Sequence, residues 1–475
     1  MEKFYITTSI HYVNASPHLG HALEEVQADA IARYQRIFNK EVYFLTGVDE
    51  HGIKIVRSSQ DVGKSVKDFV DENSGKFAEL TKKLDISNND FIRTSDKDRH
   101  WPGAQSLWKK LVEAGDIYKG EYSGYYCVGC EAYVTEKDLI DGKCPYHFKE
   151  PEKIEEKNYF FKLSRYVDEI KNKIESDEFK IFPESRKNEI LGMIKEGVSD
   201  ISFSRPKEKL SGWGVPVPDD ESQLMYVWCD ALANYISALG YGSNNEENFK
   251  KFWPADLHVI GKDILRFHAL LWSAMLISAK LPLPKTLFIH GFIFSNGKRM
   301  SKTLGNVIDP FYLIEKYGAD AVRYYFLREI MPFEDGDITE EKFKEAYNAN
   351  LANGLGNLTA RIMRMSEQYL ENKELRIMNY ELPNDFKNQM DNFELNKAMD
   401  LIWKKISESD LYIQKTEPFK LIKTDDKKAK EILVKLVSSL QDIALMLRPF
   451  LPQTSEKILE SIKLNKMPET LFPRL

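Results

Sequence analysis

The sequence predicts an α/β fold in which a parallel-sheet domain is interrupted by an insertion and followed by an all-helical bundle. Three observations predict it. Strand, helix and strand patterns follow one another within the first fifty residues, the order of a parallel crossover. Between about 116 and 160 helical periodicity gives way to dense Tyr, Gly and Cys. From Glu340 onward the apolar positions recur almost entirely at helical spacing.

Residues 4–9 (FYITTS) read as a first strand. Ser16 suits a helix cap and Pro17 a first helical position. Leu19, Leu23, Val26, Ala30, Tyr34 and Ile37 then recur at helical spacing. The run EVYFLTG reads as a second strand, ending near Asp49 and His51. No GxGxxG or Walker A motif is present, so the usual dinucleotide and phosphate-loop versions of the fold are excluded. After the insertion, LSRYVDEIKNKI regains helical periodicity, and residues 181–218 read as loop-rich. YVWCDALANYISAL reads as a strand end entering a helix, DLHVIG as a buried strand, Lys262 to Ala279 as helix and TLFIHGFIF as another strand. Four segments near 340–368, 393–414, 427–447 and 452–462 supply the bundle. The expected divisions are 1–115 and 226–290 for the split sheet domain, 116–225 for the insertion and return segment, 291–345 for a connecting region and 346–475 for the bundle.

A chain of 475 residues needs more than one core. With 43% hydrophobic and 29% charged residues it has the make-up of a soluble globular protein. A net charge of -6 argues against a whole-surface nucleic-acid binder, so any RNA contact must use local basic patches. The opening MEKFYITTSI is not a secretory signal, and the apolar stretch Ala269 to Ala279 is broken by Ser273 and Ser278 and is too short to span a bilayer. A cytoplasmic location without membrane association is expected.

Three of the four cysteines are clustered. Cys127-Val-Gly-Cys130 is followed by Cys144-Pro-Tyr-His147. Three thiolates and one imidazole in two tight turns suit tetrahedral zinc. One histidine and a single knuckle favour zinc over an iron–sulfur cluster. Four protein ligands leave no open position, so the expected role of Zn2+ is structural.

The sequence His18-Leu19-Gly20-His21 falls where the first strand feeds the first helix. A helix N-terminus attracts phosphate, and residues three apart share a face. The two histidines can donate to phosphate oxygens, or can simply cap the helix. Gly20 lets an adenine ring lie close to the backbone. Much later comes Ser-Asn-Gly-Lys298-Arg299-Met300-Ser301-Lys302-Thr303. A glycine beside several cations suits a mobile loop that closes on phosphate, with Lys302 as a compact charge. Alone, it is equally a basic surface turn.

These two segments resemble the HIGH and KMSKS signatures of the class I aminoacyl-tRNA synthetases. Leu19 replaces isoleucine, Arg299 stands at the first lysine position and Thr303 at the last serine position. The longer string YVNASPHLGHALEEVQADAIARYQR resembles the bacterial-type methionyl family in particular. The resemblance extends from Phe4 to the end of the bundle. It implies a Rossmann-like catalytic domain with a zinc-bearing insertion and a C-terminal all-α anticodon-binding bundle. The implied reaction is attack of the methionine carboxylate on the α-phosphorus of ATP, which enters as its Mg2+ complex, followed by methionyl transfer to the 3′-terminal ribose of tRNA(Met), initiator and elongator alike. Such chemistry needs positioning and charge stabilisation rather than a covalent nucleophile.

The resemblance also implies site residues. His18, His21 and Lys302 stabilise the reacting phosphates, with Gly20, Gly261, Asp263 and Arg299 completing the ATP site. Asp49 binds the ammonium of L-methionine from a strand end, where open-sheet ligands bind. Ile10, Tyr12, Trp228, Ala231, Leu232, Tyr235 and His268 match the side-chain pocket, although Trp228 and Tyr235 taken alone read as core aromatics. Cys229, beside them, reads as a small buried hydrophobe. One methylene gives modest discrimination in an apolar pocket, so pocket composition leaves valine and leucine open. Asn357 and Arg361, four apart on one helix, match anticodon contacts, and Phe419 stands where the family stacks a tryptophan. Lys404, Lys405, Lys415 and Lys420 are equally tRNA-backbone contacts or solvated lysines. With no further C-terminal domain after the bundle, a monomer is expected. The rival readings are a class I synthetase for another amino acid and a catalytically silent RNA-binding descendant.

Overall fold

Six strands, all parallel, run in the spatial order Asp90–Arg93, Glu41–Asp49, Lys3–Tyr12, Leu257–Gly261, Thr286–His290 and Lys180–Phe182. They come from a computed structural model of the chain, which describes all residues except 129–131, 135–138, 146–147, 301–306 and 372–380. The central strands are almost continuously buried, as expected of a parallel sheet covered on both faces. Phe44, Leu45, Val259, Ile260, Leu287 and Phe288 are each essentially inaccessible. Gly47 is dictated by the third strand, because a Cβ there would lie 2.2 Å from the Ile92 carbonyl oxygen.

The chain divides into two compact units. The first comprises Met1–Pro17, Asn39–Thr81 and Asn88–His290 and holds this sheet. Within it the expected insertion is antiparallel: Ile117–Cys127 pairs with Glu152–Phe161 from Ile117 opposite Phe161 to Tyr126 opposite Glu152. Its strand order is Ala132–Val134, Ile117–Cys127, Glu152–Phe161 and Ile201–Ser202. Residues 181–218 are less loop-rich than expected. Glu184–Glu196 is a helix, and Ile190 is its buried residue, so its apolar stripe is too thin to stand out in the sequence. The short strand before it, Lys180–Phe182, closes one side of the parallel sheet.

The second unit comprises His18–Phe38, Lys82–Ser87 and Gly291–Leu475. The long helix Leu19–Ile37 belongs to it. The expected strand TLFIHGFIF is two strands. Thr286–His290 ends in the parallel sheet, whereas Ile293–Ser295 joins a small sheet with Lys298–Arg299 and Gly336–Asp337. The break is at Gly291, where a Cβ would fall 2.1 Å from the Glu334 carbonyl oxygen. Beyond it the helices follow the expected spacing. Asp426–Leu447 packs on Asn357–Tyr369, Leu395–Thr416 and Pro452–Leu464. Its Leu433, Leu436, Leu440 and Leu447 are all buried, the period of a core-facing helix stripe.

Candidate functional site

The open ends of the parallel strands carry the first group of predicted residues. In register, Tyr12 on the first strand lies opposite Asp49 on the second. Asp49 is only 7% exposed. Its Oδ1 accepts the His51 backbone N–H at 3.1 Å and the Thr94 hydroxyl at 3.3 Å. A carboxylate fixed in this way at a strand end suits a cationic ligand. Gly261 ends the strand Leu257–Gly261 opposite His290. A Cβ at Gly261 would lie 2.9 Å from Asp263 Oδ1. Glycine thus lets Asp263, which is exposed, turn back over the strand end.

The second group is aromatic. Trp228 stacks on Phe267, with ring centroids 4.0 Å apart and planes 6° apart, and meets His268 edge-on. Tyr235 and His268 are both 1% exposed. His268 Nδ1 lies 3.0 Å from the Ile264 carbonyl, which can only accept, so that nitrogen carries the proton. In the neutral ring His268 Nε2 is then the acceptor of the Tyr235 hydroxyl, 2.7 Å away. The hydroxyl of Tyr5 in turn donates to the Tyr235 backbone carbonyl at 2.7 Å. Nearby, burial pushes the His258 imidazole well down and keeps it neutral. Ile10, Tyr12 and Trp228 pack on the same apolar core as Leu232 and Tyr235, and Ala231 lies in the same short helix as Trp228. Trp228 and Tyr235 are thus core aromatics and members of the predicted pocket set at once.

Between these groups lies a cluster that sequence reasoning missed. The buried Asp230 carboxylate bridges His51 Nδ1 and, at 2.6 Å, His100 Nε2. His100 Nδ1 lies 2.8 Å from the Ser237 hydroxyl. Burial pushes the His51 imidazole down, but Asp230, with Asp49 and Glu50, outweighs it and holds it above the ordinary value. Burial likewise pushes Asp230 up, and the two histidines outweigh it and hold it low. His51 also lines a cavity of about 360 Å³ with Trp213, Tyr226 and Arg57.

In the second unit, the start of the Leu19–Ile37 helix is built from imidazoles. The cap is His18, not Ser16: His18 has an extended backbone, and its side chain reaches the helix's own N–H groups. His18 Nδ1 accepts from the Gly20 N–H at 3.1 Å, and His21 Nδ1 accepts from the His18 N–H at 3.2 Å. The rings stack with centroids 3.7 Å apart. Because both Nδ1 atoms accept, each neutral ring carries its proton on Nε2. Two N–H donors at the positive end of a 19-residue helix make an anion-binding arrangement. A Cβ on Gly20 would sit 3.0 Å from His18 Cε1 and crowd this pair. In the lysine segment, Arg299 is backbone-paired with Phe294. Lys302 lies outside the described residues.

Of the predicted metal ligands, Cys127 and Cys144 are buried in one small cluster with Val134. Cys130 and His147 lie outside the described residues. Among the described residues, no group of three or more His, Cys, Asp or Glu side chains could hold a metal. Cys127, at its strand's end, and Cys144, in the connection between the two long strands, share one small apolar cluster, which suits two of the four zinc ligands.

On the helix Asn357–Tyr369, Asn357 is exposed, and Arg361, partly exposed, pairs with Asp410 on Leu395–Thr416. Gln414 donates to the other Asp410 oxygen at 2.6 Å. Phe419 is 44% exposed in the short helix Pro418–Leu421. Lys420 pairs with Glu417 and Lys405 with Asp442. No helix among the described residues is long and apolar enough to cross a membrane.

Comparison with known proteins sets the class first. A family model described as tRNA synthetases class I (M) matches residues 4–153 and 138–363, and one for the anticodon binding domain of methionyl tRNA ligase matches 363–472. The chain is 44% identical to the methionine–tRNA ligase of Clostridium acetobutylicum over 96% of its length and 73% of that protein. It is 42% identical to that of Brucella suis over 97% of its length and 91% of that protein. Among solved structures it is similar to Mycobacterium tuberculosis methionyl-tRNA synthetase in complex with methionyl-adenylate, with a TM-score of 0.89 and 35% identity, covering 100% of this chain and 98% of that one. The chain belongs to the methionine–tRNA ligase family of class I aminoacyl-tRNA synthetases.

Proposed function

We propose how this methionine–tRNA ligase divides its work among its residues. Asp49 holds the methionine ammonium. Ile10, Tyr12, Trp228, Ala231, Leu232, Tyr235 and His268 enclose the side chain, with polarisable aromatic surfaces suited to a thioether. Gly261 and Asp263 take the nucleoside of ATP, Asp263 through ribose hydroxyls. His18 and His21 donate from Nε2 to phosphate oxygens, and Arg299 and Lys302 neutralise charge as pyrophosphate leaves. Mg2+ enters with ATP. The observation that carries this reading is the stacked imidazole pair, whose Nδ1 atoms are both engaged by the helix start.

The tRNA end of the reaction falls to the helical region, with Asn357 and Arg361 reading anticodon bases of initiator and elongator tRNA(Met) and Phe419 stacking on one of them. Cys127, Cys130, Cys144 and His147 hold a structural Zn2+, supported by the shared burial of the two described thiols. The working divisions are the sheet domain at 1–115 and 226–290, the zinc-bearing insertion and return segment at 116–225, whose Lys180–Phe182 strand joins the parallel sheet, the lysine-loop and connecting region at 291–345 and the anticodon domain at 346–475. The enzyme acts as a cytoplasmic monomer.

The test is single-turnover methionyl-adenylate formation by His21→Ala and His21→Gln, whose amide N–H can reach the place of the imidazole Nε2. Loss of a donor aimed at developing charge predicts a fall of about a hundredfold or more for alanine. Partial recovery is predicted for glutamine, and methionine binding stays unchanged. An alanine variant that forms adenylate at the parental rate removes His21 from the phosphate site.

A further inference from the structure

The His51–Asp230–His100 cluster is absorbed by none of the roles above. It is deeply buried, at 2%, 1% and 0% exposure. A carboxylate is rarely buried unless it is paired and hydrogen-bonded. Here both carboxylate oxygens are taken, one by each imidazole. The three residues come from different parts of the first unit. His51 lies two residues after Asp49, past the end of the second strand. His100 begins the helix Trp101–Glu113. Asp230 sits in the short helix Val227–Leu232, between Trp228 and Leu232. The His51 backbone N–H itself donates to Asp49. One continuous set of hydrogen bonds therefore runs from Asp49 through His51 to Asp230 and on to His100 and Ser237.

We propose that Asp230 is a positioning residue for amino-acid activation, fixing through His51 the spacing between the Asp49 carboxylate and the helix that carries Trp228 and Ala231. The inference rests on the assignment of Asp49 and Trp228 to the methionine pocket. The amino-acid ammonium is bound at one end of this chain of bonds, and the apolar side chain is held by the helix in its middle. Ligands that need both ends at once depend on the tether, whereas ATP does not. The His51 ring faces Trp213 and Trp101 at centroid separations of 5.8 and 6.5 Å. Asp230 first, then Asp49 and Glu50, are the charged groups that raise its pKa against burial.

The experiment is methionine-dependent ATP–pyrophosphate exchange by Asp230→Asn, His51→Ala and His51→Asn in the intact enzyme. Asparagine at 51 can place an amide N–H where His51 Nδ1 stood. Loss of a charge-assisted hydrogen bond predicts a rise of about tenfold in the methionine KM for Asp230→Asn and His51→Ala, with the ATP KM unchanged. His51→Asn is expected to recover most of the loss. A residue that merely supports folding would lower the active fraction, and hence kcat, without moving one KM alone. If Asp230→Asn does not fold, the two His51 variants carry the test. Methionine and ATP KM values that rise together, or a methionine KM that stays at the parental value, overturn the proposal. Asp49→Asn is the control: an unchanged methionine KM there strikes at the pocket assignment itself, whereas a raised value beside unaffected Asp230 and His51 variants strikes at the tether alone.

Discussion

Asp29 and Arg323, both fully buried, form an ion pair at 2.7 Å between the Leu19–Ile37 helix and a helix nearly three hundred residues later. Arg323 also donates to the backbone carbonyls of Leu84, Pro449 and Phe450. Asp29 is held further by Arg33 and by the Ser87 backbone and hydroxyl. The helix that starts at His18 and His21 is thus anchored inside the second unit by a fully partnered charge pair.

Asp29→Asn breaks this pair and leaves Arg323 buried without its counter-charge. The expected loss is about 3–5 kcal/mol of stability. Burial pushes the Asp29 carboxyl up, but Arg323, Arg33 and Ser87 outweigh it and hold it below the ordinary aspartate range. A depressed carboxyl stabilises the fold fully above its unfolded pKa, and the contribution fades as pH falls through the folded value. Thermal melts of both proteins should therefore be furthest apart near neutral pH and converge in acid. A gap that widens in acid would contradict the assignment.

Lys302→Ala removes the point charge assigned to the departing pyrophosphate. Single-turnover adenylate formation should slow by about a hundredfold or more, with methionine affinity little changed. Parental activation rates would take Lys302 out of the phosphate site.

Arg361→Ala should leave methionine-dependent exchange intact and lower tRNA charging by about tenfold or more. Its guanidinium is already oriented by Asp410, so Asp410→Asn should show a weaker version of the same split. Equal loss in activation and charging would mark a folding defect in the helical unit instead.

Metal analysis of the intact protein should find about one zinc per chain. Cys127→Ser should lose it and raise protease sensitivity across the Ile117–Phe161 hairpin, because ligand loss uncouples the buried thiol cluster. A zinc-free parent with the same protease pattern would leave the thiols as ordinary core residues.

Features set by local spacing were legible in the sequence. His18 and His21 lie three apart at a strand-to-helix junction, and the strand end near Asp49 follows from an apolar run, whereas the first strand runs past the expected 4–9 to Tyr12. The long helices of the C-terminal region were legible for the same reason, since Leu433, Leu436, Leu440 and Leu447 repeat at one helical face. Features built by distant pairing were not. Asp230 meets residues 179 and 130 positions away, and nothing in a single sequence links an aspartate in a WCDA run to a histidine before Trp101. The Glu184–Glu196 helix was hidden by its thin apolar face. The sequence leaves the cap open between Ser16, the commoner residue type, and the histidines, and the imidazole nitrogens of His18 and His21 are what reach the helix N–H groups.

The most direct test of the whole account is ATP–pyrophosphate exchange by the intact, zinc-replete enzyme with each standard amino acid in turn. The account predicts exchange with methionine at least about tenfold above leucine or valine, the discrimination expected of a pocket shaped for an unbranched thioether. Exchange with no amino acid, or stronger exchange with a branched aliphatic one, would contradict it.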